Sequence, residues 1–86
     1  MITVFYTPTF VRQYRKLPAA LRQEVDEKIA IFTTNPREPS LRLHKLRGKL
    51  KGYFSFSVNY SYRILVEEDA KGVYALLGVD NHDIYR

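Results

Sequence analysis

The chain has 86 residues, 14 Lys and Arg against 9 Asp and Glu, a net charge of +5 and no cysteine. That length holds one hydrophobic core and no second domain, and the missing cysteines exclude a disulfide scaffold and a thiolate metal site. With 45% hydrophobic and 14% aromatic residues the chain is no disordered tail; it lacks an apolar run near the ~20 residues of a membrane span, and its N-terminus lacks a signal peptide's regions, so the expected setting is the cytoplasm.

Residues 2–6 are rich in β-branched and aromatic types and read as a short first strand. Thr7 or Thr9 caps a helix that begins near Pro8, where Phe10, Tyr14 and Leu17 form an apolar stripe. Pro18 ends that helix and suits the start of the next, predicted over 18–34. Leu21, Val25, Ile29 and Phe32 give the second helix one apolar face. Arg22–Asp26 and Glu24–Lys28 are opposite charges at i, i+4. Thr33-Thr34-Asn35-Pro36 closes it.

Phe54, Phe56 and Val58 alternate with Tyr53, Ser55 and Ser57, the pattern of a half-buried strand. Asn59-Tyr60-Ser61 is the turn into a strand over 62–67, which sends Tyr62, Ile64 and Val66 to one face and Arg63, Leu65 and Glu67 to the other. Asp69-Ala70-Lys71-Gly72 is a hairpin turn, and 73–79 is a further apolar strand. The order β-α-α-β-β-β predicts an α+β domain, an antiparallel sheet of about four strands with both helices packed on one face.

Charge is concentrated. From Pro39 to Val66 there is no Asp or Glu, while Arg42, Lys45, Arg47, Lys49, Lys51 and Arg63 give six positive charges, so the rest of the chain sums to −1. One basic stretch on a balanced scaffold is the electrostatic footprint of a polyanion binder. Arg63 belongs to the face the helices leave open. The basic stretch and the ending Asn81-His82-Asp83-Ile84-Tyr85-Arg86 are expected to converge beside it.

Four segments, in order, carry a family resemblance: Phe10…Tyr14…Leu17-Pro18, the run from Leu43-His44-Lys45 to Gly52-Tyr53, Tyr62-Arg63-Ile64-Leu65, and Gly78 to Arg86. The chain resembles the RelE/ParE superfamily of toxins from type II toxin–antitoxin pairs, nearest the RelE- and YafQ-type messenger-RNA interferases. The resemblance implies a single RelE-like domain over 1–86 and an endoribonuclease that acts in the ribosomal A site, with contacts to 16S ribosomal RNA. It further implies attack by the RNA 2′-hydroxyl, a 2′,3′-cyclic phosphate product, no metal or other cofactor, no membrane, and neutralisation by a cognate antitoxin.

In-line attack needs a base for the 2′-hydroxyl, an acid for the departing oxygen and positive charge around the phosphorane. The chain has two histidines, and both fall in the matching segments. His44, Arg63, His82 and Tyr85 are the candidate catalytic residues, and Lys45, Arg47, Lys49, Lys51 and Arg86 the candidate RNA contacts. Arg63 suits the phosphate, and Tyr85 a base or the leaving group. His44 and His82 supply acid and base in an order that stays open.

His44 matches the His-x-Leu-x-Gly motif of the YafQ branch, but Ser57 and Ser61 stand where that branch carries further catalytic groups. Arg63 matches the RelE and YoeB branches. The resemblance leaves two other readings: a ParE-like DNA gyrase inhibitor without nuclease activity, and a degenerate, non-toxic antitoxin partner.

Overall fold

The computed structural model describes residues 1–46 and 52–81. Strand β1 spans Thr3–Tyr6, helices α1 and α2 span Pro8–Arg15 and Ala19–Thr34, and a 3₁₀ turn covers Pro39–Leu41. Strands β2 (His44–Lys45), β3 (Tyr53–Ser57), β4 (Tyr62–Ala70) and β5 (Val73–Asn81) follow.

Thr7 is the cap of α1: its Oγ1 accepts from the Phe10 N–H at 3.3 Å, with Pro8 in the first turn, where a missing N–H costs nothing. The i, i+4 ion pairs expected on α2 do not form. Arg22 instead donates to the Leu17 carbonyl at 2.9 Å, Asp26 accepts from the Tyr14 hydroxyl at 2.8 Å, and Glu24 accepts from the Asn59 amide at 3.2 Å. An exposed i, i+4 pair is worth only about 0.3–0.5 kcal/mol, so bonds to the rest of the fold displace it readily.

The sheet order is β1-β5-β4-β3-β2. The expected α+β architecture holds, with both helices contributing to a core against one sheet face. Phe10, Val25, Ile29 and Phe32 pack with Phe56, Val58, Ile64, Val66, Leu76 and Val79, together with Leu41. Phe32 is central: its ring stacks on Phe56 at 4.5 Å and meets Tyr74 edge-on at 5.2 Å.

Two features refine the expected sheet. His44 and Lys45 form a fifth, two-residue strand paired with Ser55 and Phe54, where a loop was expected. In addition β1 runs parallel to β5, Thr3 opposite Val73 and Tyr6 opposite Leu76. Hairpin logic orients only consecutive strands, and the helices intervene between β1 and its partner.

The β4–β5 ladder contains a bulge. Leu65 faces Gly78 while Val66 faces Leu76, so Leu77 is the extra residue. The bulge re-phases β5, which is why Leu76 and Val79, three positions apart, both reach the core. Beside it β1 ends, and α1 takes over as hydrogen-bond partner. Thr7 Oγ1 donates to the Leu76 carbonyl at 2.8 Å, and Gln13 Oε1 accepts from the Val79 N–H at 2.9 Å. The hairpin turn is tighter than expected: β4 continues to Ala70, and Gly72 closes the turn at φ +77°, a left-handed conformation suited to glycine.

Candidate functional site

Tyr62, Ile64 and Val66 face the helices, so alternation turns Arg63 and Leu65 to the side of the sheet away from them. Across the ladders, Arg63 lies between Ser57 and Asp80, and Leu65 between Ser55 and Gly78. His44 extends the second row beyond Ser55. His44 and Arg63 therefore share the open face on a diagonal, with Cα atoms about 12 Å apart from ideal strand spacing and rise. Lys45, the next residue along β2, sits opposite Phe54 on the other side.

Arg63 is half-buried, and its Nη1 is fully buried without a hydrogen-bond partner among the described residues. Glu67, four residues along the strand and about 13 Å away by strand rise, is out of reach. A buried guanidinium nitrogen without a partner is costly to a fold.

Arg63 lines a cleft of about 630 Å³ together with Lys28, Arg42, Ser40, Ser57, Val58, Asn59 and Tyr60. Three cations, two serine hydroxyls and an aromatic ring line it, with no carboxylate among the described lining residues. Glu38 lies next to it, but its carboxylate is committed to Ser40, accepting from the backbone N–H at 2.7 Å and from the hydroxyl. The Ser40 hydroxyl first, and its N–H next, hold the Glu38 carboxyl below its ordinary value; Lys28 acts weakly in the same direction. These bonds cap the 3₁₀ turn that delivers Arg42 in a left-handed conformation, φ 50°, uncommon for a residue with a Cβ.

Arg42 links the cleft to His44 through its backbone. His44 Nδ1 lies 3.1 Å from the Arg42 carbonyl, and a carbonyl only accepts, so Nδ1 carries the proton. In the neutral ring Nε2 is then the acceptor, 3.5 Å from the hydroxyl of the fully buried Ser55. That contact is long for a hydrogen bond, and the imidazole is exposed. The ring thus has one nitrogen anchored on the backbone and the other turned toward Ser55.

Of the sequence-predicted site, then, His44 and Arg63 share a face, and Lys45 lies off it. Arg47, Lys49, Lys51, His82, Tyr85 and Arg86 lie outside the described residues. Ser57 lines the cleft beside Arg63. Ser61 is exposed, its N–H donating to Asn59 Oδ1 at 2.8 Å. Sequence reasoning counted Arg42 as charge without placing it in a site, and missed Lys28, Asn59 and Tyr60. They come from a helix and a turn with no local pattern in common. Among the described residues no group of three His, Cys, Asp or Glu side chains is arranged to hold a metal. No described helix is long and apolar enough to cross a membrane.

A scan against protein-family models gives no match, and a search of curated proteins gives none either. Solved structures do match. YafQ from Escherichia coli superposes with a TM-score of 0.77 at 13% identity, covering 98% of this chain and 97% of that one. The toxin–antitoxin complex RelBE from E. coli gives 0.71 at 19%, covering 94% and 96%. The fold is thus the RelE-like α+β fold. The RelBE2 toxin–antitoxin complex of Mycobacterium tuberculosis contains a chain 30% identical to this one, with a TM-score of 0.65 over 93% of this chain and 96% of that one. At that identity over nearly the full length, the protein belongs to the RelE/ParE superfamily of toxins from toxin–antitoxin pairs.

Proposed function

We propose that this toxin is an endoribonuclease that cuts messenger RNA in the ribosomal A site and that a cognate antitoxin neutralises it in the cytoplasm. The observation that carries the reading is the Arg63 guanidinium on the sheet face away from the helices, its buried Nη1 without a partner among the described residues, in a cleft whose described lining holds cations and no carboxylate. Such a group is suited to a phosphate whose charge grows during in-line attack.

In this mechanism the 2′-hydroxyl oxygen attacks the adjacent phosphorus, the bond to the 5′-oxygen breaks, and a 2′,3′-cyclic phosphate and a 5′-hydroxyl result. Arg63 donates to the non-bridging oxygens. His82 and His44 divide the roles of base toward the 2′-hydroxyl and acid toward the leaving 5′-oxygen, and Tyr85 stacks on a base or orients the leaving group. The anchored Nδ1 of His44 supports such a role, since it leaves Nε2 as the exchanging nitrogen. Lys45, Arg47, Lys49, Lys51 and Arg86 hold RNA phosphates. The antitoxin partner is supported by the complexes in which relatives are found, including the RelBE2 complex.

The test is inducible expression in a bacterium with mapping of RNA 5′ ends, and Arg63→Ala and His82→Ala as controls. New 5′-hydroxyl ends at in-frame codon positions, absent from both controls, are expected. Growth arrest with DNA breaks and no such ends would move the protein to the gyrase-inhibitor reading. Folded protein with no arrest would make it a non-toxic partner.

A further inference from the structure

The cleft extends beyond what one phosphate on Arg63 requires. Lys28 comes from α2, Arg42 from the end of the 3₁₀ turn and Tyr60 from the β3–β4 turn, and all three line the same space as Arg63. Neither Lys28 nor Arg42 has an ion-pair partner among the described residues of the cleft lining.

Tyr60 is 90% exposed, yet the turn beneath it is firmly held. Asn59 Oδ1 accepts from the N–H groups of Ser61 at 2.8 Å and Tyr62 at 3.0 Å, while its amide donates to Glu24 of α2 at 3.2 Å. The Val58 N–H closes the turn on the Tyr62 carbonyl at 2.9 Å. An aromatic ring in solvent on an anchored backbone, next to unpaired cations, is a platform for a base.

We propose that Lys28, Arg42 and Tyr60 form a second nucleotide subsite adjoining Arg63. The Lys28 and Arg42 side chains take a neighbouring phosphodiester of a single-stranded RNA, and the Tyr60 ring stacks on its base. The backbone supports the arrangement. The left-handed conformation of Arg42 is set by the Glu38-capped turn, and the Arg42 carbonyl anchors His44. One residue thus joins the subsite to the acid–base candidate. The inference rests on the ribonuclease reading for its place in the reaction, but the subsite makes a binding claim of its own.

The test uses the purified full-length chain and two non-cleavable 2′-O-methyl probes, a dinucleotide with one phosphodiester and a trinucleotide with two, read by isothermal titration or fluorescence. The variants are Tyr60→Ala and the double variant Lys28→Ala/Arg42→Asn. Asn is chosen because it tolerates the left-handed conformation at position 42, and circular dichroism verifies folding.

Wild type is expected to prefer the trinucleotide. Each variant should lose about tenfold in trinucleotide affinity, the scale of one stacked base, with dinucleotide affinity unchanged. The double variant should also show a salt slope shallower by about 0.7, the effect of one single-strand phosphate. Unchanged trinucleotide binding, equal losses on both probes, or loss of antitoxin binding alone would each overturn the subsite.

Cleavage of programmed ribosomes, run in parallel, separates the two proposals. A wild type that discriminates between the probes but does not cut keeps the subsite and removes the nuclease. A wild type that cuts, with variants that bind and cut as it does, keeps the nuclease and removes the subsite.

Discussion

Gln13 accepts a hydrogen bond from the Val79 N–H at 2.9 Å, so a side chain from α1 substitutes for a strand partner where β1 ends. Val79 itself is buried, so its N–H has no ready replacement. Gln13→Ala is expected to cost about 1–3 kcal/mol, the range for orphaning a buried donor. Urea denaturation measures it, and a loss under a few tenths of a kcal/mol would show that water reaches the site. Whatever remains folded should keep its activity, since Gln13 is absent from the cleft lining.

Arg63 predicts the opposite trade. Its Nη1 is buried without a partner among the described residues, so Arg63→Met, which keeps the apolar stem and deletes the orphan, should raise stability by about 1 kcal/mol. The same variant should lose RNA cleavage. A fall in the denaturation midpoint would mean that Arg63 is satisfied in solution and is not held ready for a ligand.

Phe32 is fully buried between the stacked Phe56 and the edge of Tyr74. Phe32→Ala is expected to cost about 3–5 kcal/mol, and Phe32→Leu clearly less. For a chain this short the larger loss approaches the whole stability, so the Ala variant should be mostly unfolded by calorimetry at 37 °C.

The Tyr14–Asp26 bond gives an alkaline signature. The hydrogen bond to Asp26 first, and burial next, raise the Tyr14 phenol above its ordinary value of 10.0. A folded value above the unfolded one stabilises the fold fully below the unfolded value, and that stabilisation is lost as pH rises through the folded value. Tyr74, raised by burial first and then by Glu68, adds in the same direction. Stability should therefore fall above about pH 10, the ordinary tyrosine range. Tyr14→Phe should be slightly less stable at neutral pH and should fall less steeply, which denaturation midpoints across that range will show.

What the sequence revealed depended on distance along the chain. The α2 stripe and the alternation around Arg63 are local patterns, and both proved true in the structure. The partner of β1 was not legible, because Thr3 finds Val73 across the whole chain and no local period encodes that pairing. Nor was the β5 bulge, since Leu76 and Val79 break the two-residue alternation only through an extra residue that their partner strand does not share. Around the cleft, the position of Arg63 followed from its face. Those of Lys28 and Tyr60 did not, since a lysine on a charged helix and a tyrosine in a turn each look like ordinary surface until the fold sets them around one cleft.

The parallel pairing of β1 also bears on how the chain is made. Strand β1 precedes the other described elements along the chain, and its one strand neighbour among the described residues, β5, follows them. The Thr7 and Gln13 bonds that seat α1 likewise end on Leu76 and Val79. During elongation, the β3–β4 hairpin can pair as soon as it is made, whereas β1 and the seating of α1 wait for β5. Sequence-distant pairings of this kind slow folding. A growing chain therefore joins β1 to the rest of the sheet only after β5 has been translated.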